Sequence, residues 1–489
     1  MRHLTTYCLL WLGLLSGLVL MSCEEELLTD VSDQPTLSAD TLHMGTILLG
    51  NSSKTHILKL YNRCSGELRL TSISLRHATT SGFRMNVDGM NGTSFTNSDL
   101  LRIASGDSMF IFVEATFPAG DELMAYHNDW IDISCNQRTQ SIVIDGTSMN
   151  VDQLHGATIE RDTTWSSDGL NKQIYDSLVI PAGITLTITD SVTLYLHDKA
   201  DIRVRGTLIC EGTSSAHVTI RGDRLDKMFD NLPYDNLPSQ WGSLYIDSTA
   251  AGCSFLYTDI HGMSGGIFID STDVQFHSCR IKNSDGNLLT CHMSRLKLYN
   301  SELSNAAGCL LDLYGGWNDV VHCTLANYNF AQAVTLPALR FSNIDTTQVR
   351  QTPLHHCLFQ NTLVWSRWNE PRKTGGDVRP DYFRIIVDVD RLNRPVYADS
   401  IFNYTFDHCH LHANGTDDDD FIQTIWNEAP DGTIQDPKFR LIDTDNYSFD
   451  FRLQESSPAI KAGAAEGALL CPTNLDGEKR PEIPDIGCY

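Results

Sequence analysis

The sequence predicts an all-β chain: a small antiparallel sandwich followed by a solenoid of coils carrying three short strands each. Three observations predict it. Between Thr258 and Cys409 one pattern recurs: apolar, two free positions, small, one free, apolar, one free, then often Asn. It reads Phe276-His277-Ser278-Cys279-Arg280-Ile281-Lys282-Asn283 and Leu298-Tyr299-Asn300-Ser301-Glu302-Leu303-Ser304-Asn305, then recurs over 320–327 and 354–361. Cys279, Ser301 and Cys323 lie 22 apart, with Thr258 21 before the first, and such a fixed period marks a stack in which each turn buries its core against its neighbours. Finally, the region before Ser148 alternates apolar and polar residues between turn signals, the pattern of half-buried antiparallel strands.

In chain order, Arg2 precedes an apolar run from Leu9 to Met21, too short for a membrane span and suited to a secretory signal. Leu20-Met21-Ser22-Cys23 resembles a bacterial lipobox, which implies a signal peptide over residues 1–22 and lipid attachment at Cys23. Several acyl chains there supply stable anchoring that one chain cannot. Glu24-Glu25-Glu26 resembles the acidic export signal of Bacteroidetes lipoproteins, so an outer-membrane, surface-exposed address is expected. Residues 23–35 then form a lipidated tether.

Residues 36–150 form the expected sandwich. Ile57-Leu58-Lys59-Leu60-Tyr61 and Met109-Phe110-Ile111-Phe112-Val113 alternate as strands do. Leu42 to Gly50, Leu60-Tyr61-Asn62, Ser105-Gly106-Asp107 and Ile142-Val143-Ile144-Asp145-Gly146 resemble an Ig-like domain of the ASPM/SPD-2/Hydin type. Such a domain would act as a spacer or collar.

Residues 151–489 carry the solenoid. Apolar residues at −5 and −3 from the small slot (Val274, Phe276), at 0 and +2 (Cys279, Ile281), and at Leu289/Cys291 form three strands. The step from −3 to 0 is odd, so the chain must bend there. Glycines before the third strand (Gly266, Gly286, Gly308) suit a turn. This chain resembles the right-handed parallel β-helix (pectate-lyase-like) superfamily from about Ile159 onward, which implies a right-handed parallel β-helix of roughly ten coils, their rungs about 4.8 Å apart. Gly222-Asp223-Arg224 to Gln240-Trp241-Gly242 resembles a segment of β-helical lipoproteins of Bacteroidetes. Ser457-Pro458-Ala459-Ile460, Asp476-Gly477, Arg480-Pro481 and Asp485-Ile486-Gly487 resemble their C-terminal closing segment.

A formal charge of −25 argues against nucleic acid as a partner, since phosphates call for basic patches. Of 14 cysteines, those in the repeat slot (Cys279, Cys323, Cys357, Cys409) read as buried thiols. Cys64–Cys135 and Cys471–Cys488 are the disulfide candidates for an oxidising compartment.

Catalytic motifs are scarce. Arg280-Ile281-Lys282 matches part of a polygalacturonase-like site by letter, but no Gly-His-Gly accompanies it and Ile281 occupies a core position. Asp417-Asp418-Asp419-Asp420 offers oxygens for Ca²⁺, against the reading of a solvated charge run. His322, His356 and His408 share the corner position and would stack as a column able to hold a Zn²⁺-like ion, against a corner ladder of hydrogen bonds. Coil length breaks between Cys323 and Cys357 and again before Cys409; the second break carries Trp365, Arg367, Trp368 and Glu370. Aromatic faces beside charged groups suit sugar rings, against plain packing on the outer wall.

The expectation is a surface lipoprotein anchored in the outer membrane that presents its β-helix for adhesion or glycan binding, without catalysis. The alternatives are a polysaccharide lyase or glycoside hydrolase acting on acidic glycans, and a purely structural envelope protein. A concave groove with two carboxylates and a Lys, Arg or His would favour the enzyme; exposed Trp365 or Trp368 beside it would favour the binder.

Overall fold

The computed structural model describes residues 25–489 except 79, 97–98, 331, 346–349, 368–376, 390 and 392–393, and only the backbone of 385–389 and 395–398. Residues 1–22, Cys23, Trp368 and Glu370 therefore lie outside the described residues. The chain divides into two compact units between Asn150 and Val151.

In the first unit, described strands build one sheet of five and one of six. Alternation decides what faces the core: Leu58, Leu60, Met109, Ile111 and Val113 are buried, whereas Ile57 is exposed. Met124–Cys135 and Arg138–Met149 form the longest hairpin. Its two-residue turn, Asn136-Gln137, has both φ positive at 46° and 64°, which matches the twist of the flanking strands. Among the described residues, pairing is antiparallel except where Thr41–Leu48 runs parallel to Arg138–Met149 and at an isolated parallel bridge between Leu27 and Glu67.

In the second unit, parallel strands of successive coils stack into three walls, and the last two coils, at Thr405–Asp407/His410–Leu411 and Phe421–Ile422/Ile425–Trp426, contribute to the first two walls only. One wall is a ten-stranded sheet that includes Asp273–His277 and Arg295–Tyr299. A second includes Arg280–Ser284 and Glu302–Ala306, and a third includes Leu289–His292 and Leu311–Tyr314. Thr258–Asp270 runs through the corner between the second and third walls, which fuses them into one 17-stranded sheet. The expected core positions Phe276, Cys279, Ile281, Leu289 and Cys291 all pack into one cluster inside. The fold is thus all-β and β-helix-like.

The bend between the first and second walls has a clear cause. Tyr257, Ser278, Asn300, His322, Asn361 and His408 hold φ between 43° and 55°. A single left-handed residue turns the chain sharply enough to restore the inward face after an odd step, at a cost of about 1 kcal/mol for a residue with a Cβ. Asn283 and Asn305, at φ 60° and 58°, make the corner between the second and third walls, where Asn tolerates this conformation best.

The expected alignment fails at one coil. Leu363 lies opposite Thr324, so Thr362, not Cys357, occupies the small slot above Cys323. Cys357 stands on the first wall opposite Asn318. Two letter patterns five residues apart both fit an alternating strand, and pairing with neighbours above and below selects the second.

The C-terminal segment folds back over the second wall. Phe439, Phe451, Ala459 and Ile486 pack on the outward-facing Ala326, Leu363 and Trp365, forming a separate apolar cluster. The hairpin Phe439–Asp443/Ser448–Leu453 carries part of this cover.

Candidate functional site

Where that cover meets the wall, a cavity of about 220 Å³ opens. Its floor is built by strand alternation. Ile281 and Leu303 point into the core with no exposure, which turns Arg280, Lys282, Glu302 and Ser304 outward. Arg280 lies opposite Glu302, and Lys282 opposite Ser304. The roof comes from the tail: Phe449, Asp450, Phe451, Arg452 and Tyr489. Phe330 lies tilted against Tyr447 with ring centroids 4.0 Å apart and near-parallel to Phe449 at 6.3 Å, giving an aromatic wall. Asn236, Asn283 and Asn305 complete the lining.

Most charges here are paired. Ser304 Oγ donates to Glu302 at 2.7 Å, and the Tyr489 hydroxyl donates to the other carboxylate oxygen. Burial and the Glu302 charge push the Tyr489 phenol well up, so it stays a donor. Arg452 donates to both oxygens of Asp476 at 2.7 and 2.9 Å and to Asp450 at 3.1 Å. It also lies 5.1 Å from the Tyr489 ring centre. Arg280 reaches Asp476 at 3.4 Å and Asp259 at 3.8 Å; burial opposes its charge, but Tyr489 and Asp259 outweigh that and push its pKa up. Lys282 is half-buried, and its ammonium makes no hydrogen bond or ion pair among the described residues. Beside it, His261 is held neutral, pushed down to about 3 by burial first and the Lys282 charge second.

The three histidines expected to form a column are not brought together. His322 is buried with no exposure. Its Nδ1 donates to the Gly487 carbonyl at 3.2 Å, and its Nε2 accepts from Asn361 Nδ2 at 2.9 Å. Burial pushes it down to about 3. His356 lies on the first wall, exposed, with Nε2 2.8 Å from Asp319. His408 sits beyond Asn361 in the corner column, its Nδ1 2.7 Å from Asp407. The corner is a ladder instead, with Asn300 Nδ2 donating to Ser278 at 2.9 Å and Arg480 donating to Asn300 at 2.7 Å. Among the described residues, no group of three or more His, Cys, Asp or Glu is gathered as a metal ion requires.

Trp365 is 5% exposed. It packs against the rings of His410 and His412 at 5.4 and 4.3 Å, on the strand Leu363–Ser366 rather than in an inserted loop. It therefore presents no free face to a sugar; Arg367 beside it is exposed. In the acidic run, Asp417 accepts from the Trp426 indole at 3.1 Å and from the Thr424 amide at 3.3 Å. Asp418 accepts the amides of Asp420 and Phe421. These two carboxylates hold the loop.

The expected disulfides are absent: Cys64, Cys135, Cys471 and Cys488 are thiols. Cys135 is fully buried and pushed up to about 11 by burial and by Cys64. Its Sγ points at the Arg69 carbonyl at 3.7 Å.

The tripeptide Arg280-Ile281-Lys282 lacks the companions of a polygalacturonase-like site, so its letters alone do not mark Arg280 and Lys282 as lining a cleft. The usable signal was their position, alternating about a core isoleucine.

No family model matches the chain, and no curated protein matches it. Among solved structures, the ASH/PapD-like domain 7 of human CEP192 aligns at 13% identity and TM-score 0.17, over 25% of this chain and 89% of that one. A family 123 glycoside hydrolase from Clostridium perfringens, described for glycolipid glycan hydrolysis, aligns at 10% identity and TM-score 0.16. That alignment covers 24% of this chain and 26% of that one, so the chain spans about a quarter of the hydrolase.

Proposed function

We propose that this chain is a surface lipoprotein, anchored through Cys23 in the outer membrane, whose right-handed parallel β-helix presents the cleft over Arg280–Ser304 as a glycan-binding site without catalysis. The observation that carries the reading is the pairing of an aromatic wall (Phe330, Tyr447, Phe449) with polar donors across a cavity of about 220 Å³. A sugar ring offers apolar CH faces to such a wall and hydroxyls to such donors.

The test is a glycan array on the soluble form beginning after Cys23, with Phe449→Ala beside the wild type. Binding that weakens at least tenfold in the variant supports the reading; a wild type that captures no glycan ends it.

One observation favours a second reading, a lyase or hydrolase on acidic glycans: the cleft holds two carboxylates, Glu302 and Asp450, together with Arg280, Lys282 and Arg452. In the free protein both carboxylates accept hydrogen bonds from Ser304, Tyr489 or Arg452, contacts that a base would exchange for a substrate proton. Unsaturated product or new reducing ends from uronic-acid polymers would decide for the enzyme.

A further inference from the structure

We infer that the ligand of this cleft carries an anionic substituent, a carboxylate or sulfate on the sugar, and that Lys282 is the group that selects it. The inference rests on the glycan-binding reading of the same cleft and extends it to charge.

The chain as a whole carries a formal charge of −25, yet the cleft lining holds Arg280, Lys282 and Arg452 against Glu302 and Asp450. Within the lining itself the cations outnumber the carboxylates by one, and a cleft with low-dielectric walls focuses the field of an unpaired charge on a ligand. The three cations are not equivalent. Arg452 has its fork engaged by Asp476 and Asp450, and Arg280 is held between Asp476 and Asp259. Arg280 ties the tail to the wall through Asp476, Arg452 is engaged within the tail, and neither has much charge left for a ligand.

Lys282 differs. It projects outward between core residues, is half-buried, and has no carboxylate within ion-pair distance among the described residues. Its neighbour across the strands is the neutral Ser304. A half-buried ammonium without a counter-ion costs desolvation energy that a bound anion repays. Because the ammonium is a point charge rather than a planar fork, it accepts carboxylate and sulfate alike. The aromatic wall then holds the ring while Lys282 reads its charge.

Calorimetry on the chain beginning after Cys23 tests this with three oligosaccharides of equal length: oligogalacturonate (carboxylate), an oligo-carrageenan (sulfate ester) and a cello-oligosaccharide (neutral). At least one anionic ligand is expected to bind about tenfold or more tighter than the neutral one, with an affinity that falls as NaCl rises. Lys282→Met is expected to bring that ligand to the neutral level, and Phe449→Ala to weaken whichever ligands bind. Preference for one anionic ligand over the other identifies the source of the anion. The inference is overturned, with glycan binding intact, if the neutral ligand binds as tightly as both anionic ones, or if Lys282→Met weakens neutral and anionic ligands equally. It falls with the glycan reading itself if the wild type binds none of the three. The salt dependence reads the wild type alone and stands even if a variant misfolds.

Discussion

Asn361 joins two coils and the tail at one buried point: its Nδ2 donates to His322 Nε2 at 2.9 Å and to the Ala464 carbonyl at 2.8 Å, while its Oδ1 accepts the Ala464 amide at 2.7 Å. Truncation to Ala strands a ring nitrogen and both backbone groups of Ala464 without partners in a dry corner. Each such loss costs about 1–3 kcal/mol, so Asn361→Ala should lower the unfolding free energy by roughly 3 kcal/mol or more in guanidinium titration. The backbone at 361 has φ 51°, which Gly adopts freely. Asn361→Gly loses the same hydrogen bonds but escapes the strain, and should therefore be about 1 kcal/mol more stable than Asn361→Ala. Equal stabilities would show that the corner conformation carries no cost.

Acid should weaken the solenoid. Burial pushes His322 and His261 down to about 3, and His410 down to about 4, from 6.5. A histidine with a depressed folded pKa binds its proton more readily when unfolded. Stability is therefore fully present above pH 6.5 and lost as pH falls toward 4. At pH 5 each such histidine costs about 2 kcal/mol relative to neutral pH. His322→Asn places in this corner the residue type of the neighbouring corners, Asn300 and Asn361, and should remove about one proton from the pH dependence. Unfolding free energies measured at pH 7 and pH 5 check it; an unchanged difference between the two pH values would sink the assignment.

How far the sequence could be read depends on which contacts are near-neighbour. The inward residues Ile281, Leu303 and Leu325 and their strands were legible because stacked coils repeat the same local demand every 22 residues. The slip at Cys357 arose where an insertion removed that period, so that Leu354-to-Asn361 and Phe359-to-Ser366 each offered a plausible strand. The cleft was not legible. Its floor at Arg280 and Lys282 and its roof at Phe449 to Tyr489 lie more than 160 residues apart, and no local pattern states that a tail will return to one wall. The same return buries Trp365, which alone looks like a free aromatic.

Trp365 tests that return directly. It sits in the cluster formed by Phe439, Phe451, Ala459 and Ile486, so Trp365→Ala should open a cavity costing about 3–5 kcal/mol. The loss should appear first as faster proteolysis within residues 436–489, because the tail loses its largest buried contact while the coils beneath keep theirs. Cleavage that begins in the coils instead would mean that Trp365 supports the helix wall rather than the tail.

The cysteines supply the last check, since the structure and the expected export to an oxidising compartment pull in opposite directions. Twelve described cysteines, Cys64 through Cys488, are free thiols, and of these only Cys64 is not buried. Cys135 and Cys471 are pushed up to about 11, and Cys279, Cys409 and Cys488 to about 12, chiefly by burial. Since the thiolate is the reactive form, these groups are doubly protected, by poor access and by protonation. The folded chain beginning after Cys23, treated with a chromogenic disulfide reagent, should therefore release about one equivalent at most, from Cys64, and twelve once unfolded in guanidinium. Cys64→Ser should abolish the native signal and leave eleven. A purified chain whose intact mass falls 2 Da short of the reduced value for Cys64–Cys135 or Cys471–Cys488 would reverse the conclusion. It would place those sulfurs in bonds that stiffen the sandwich or lock the tail onto the wall.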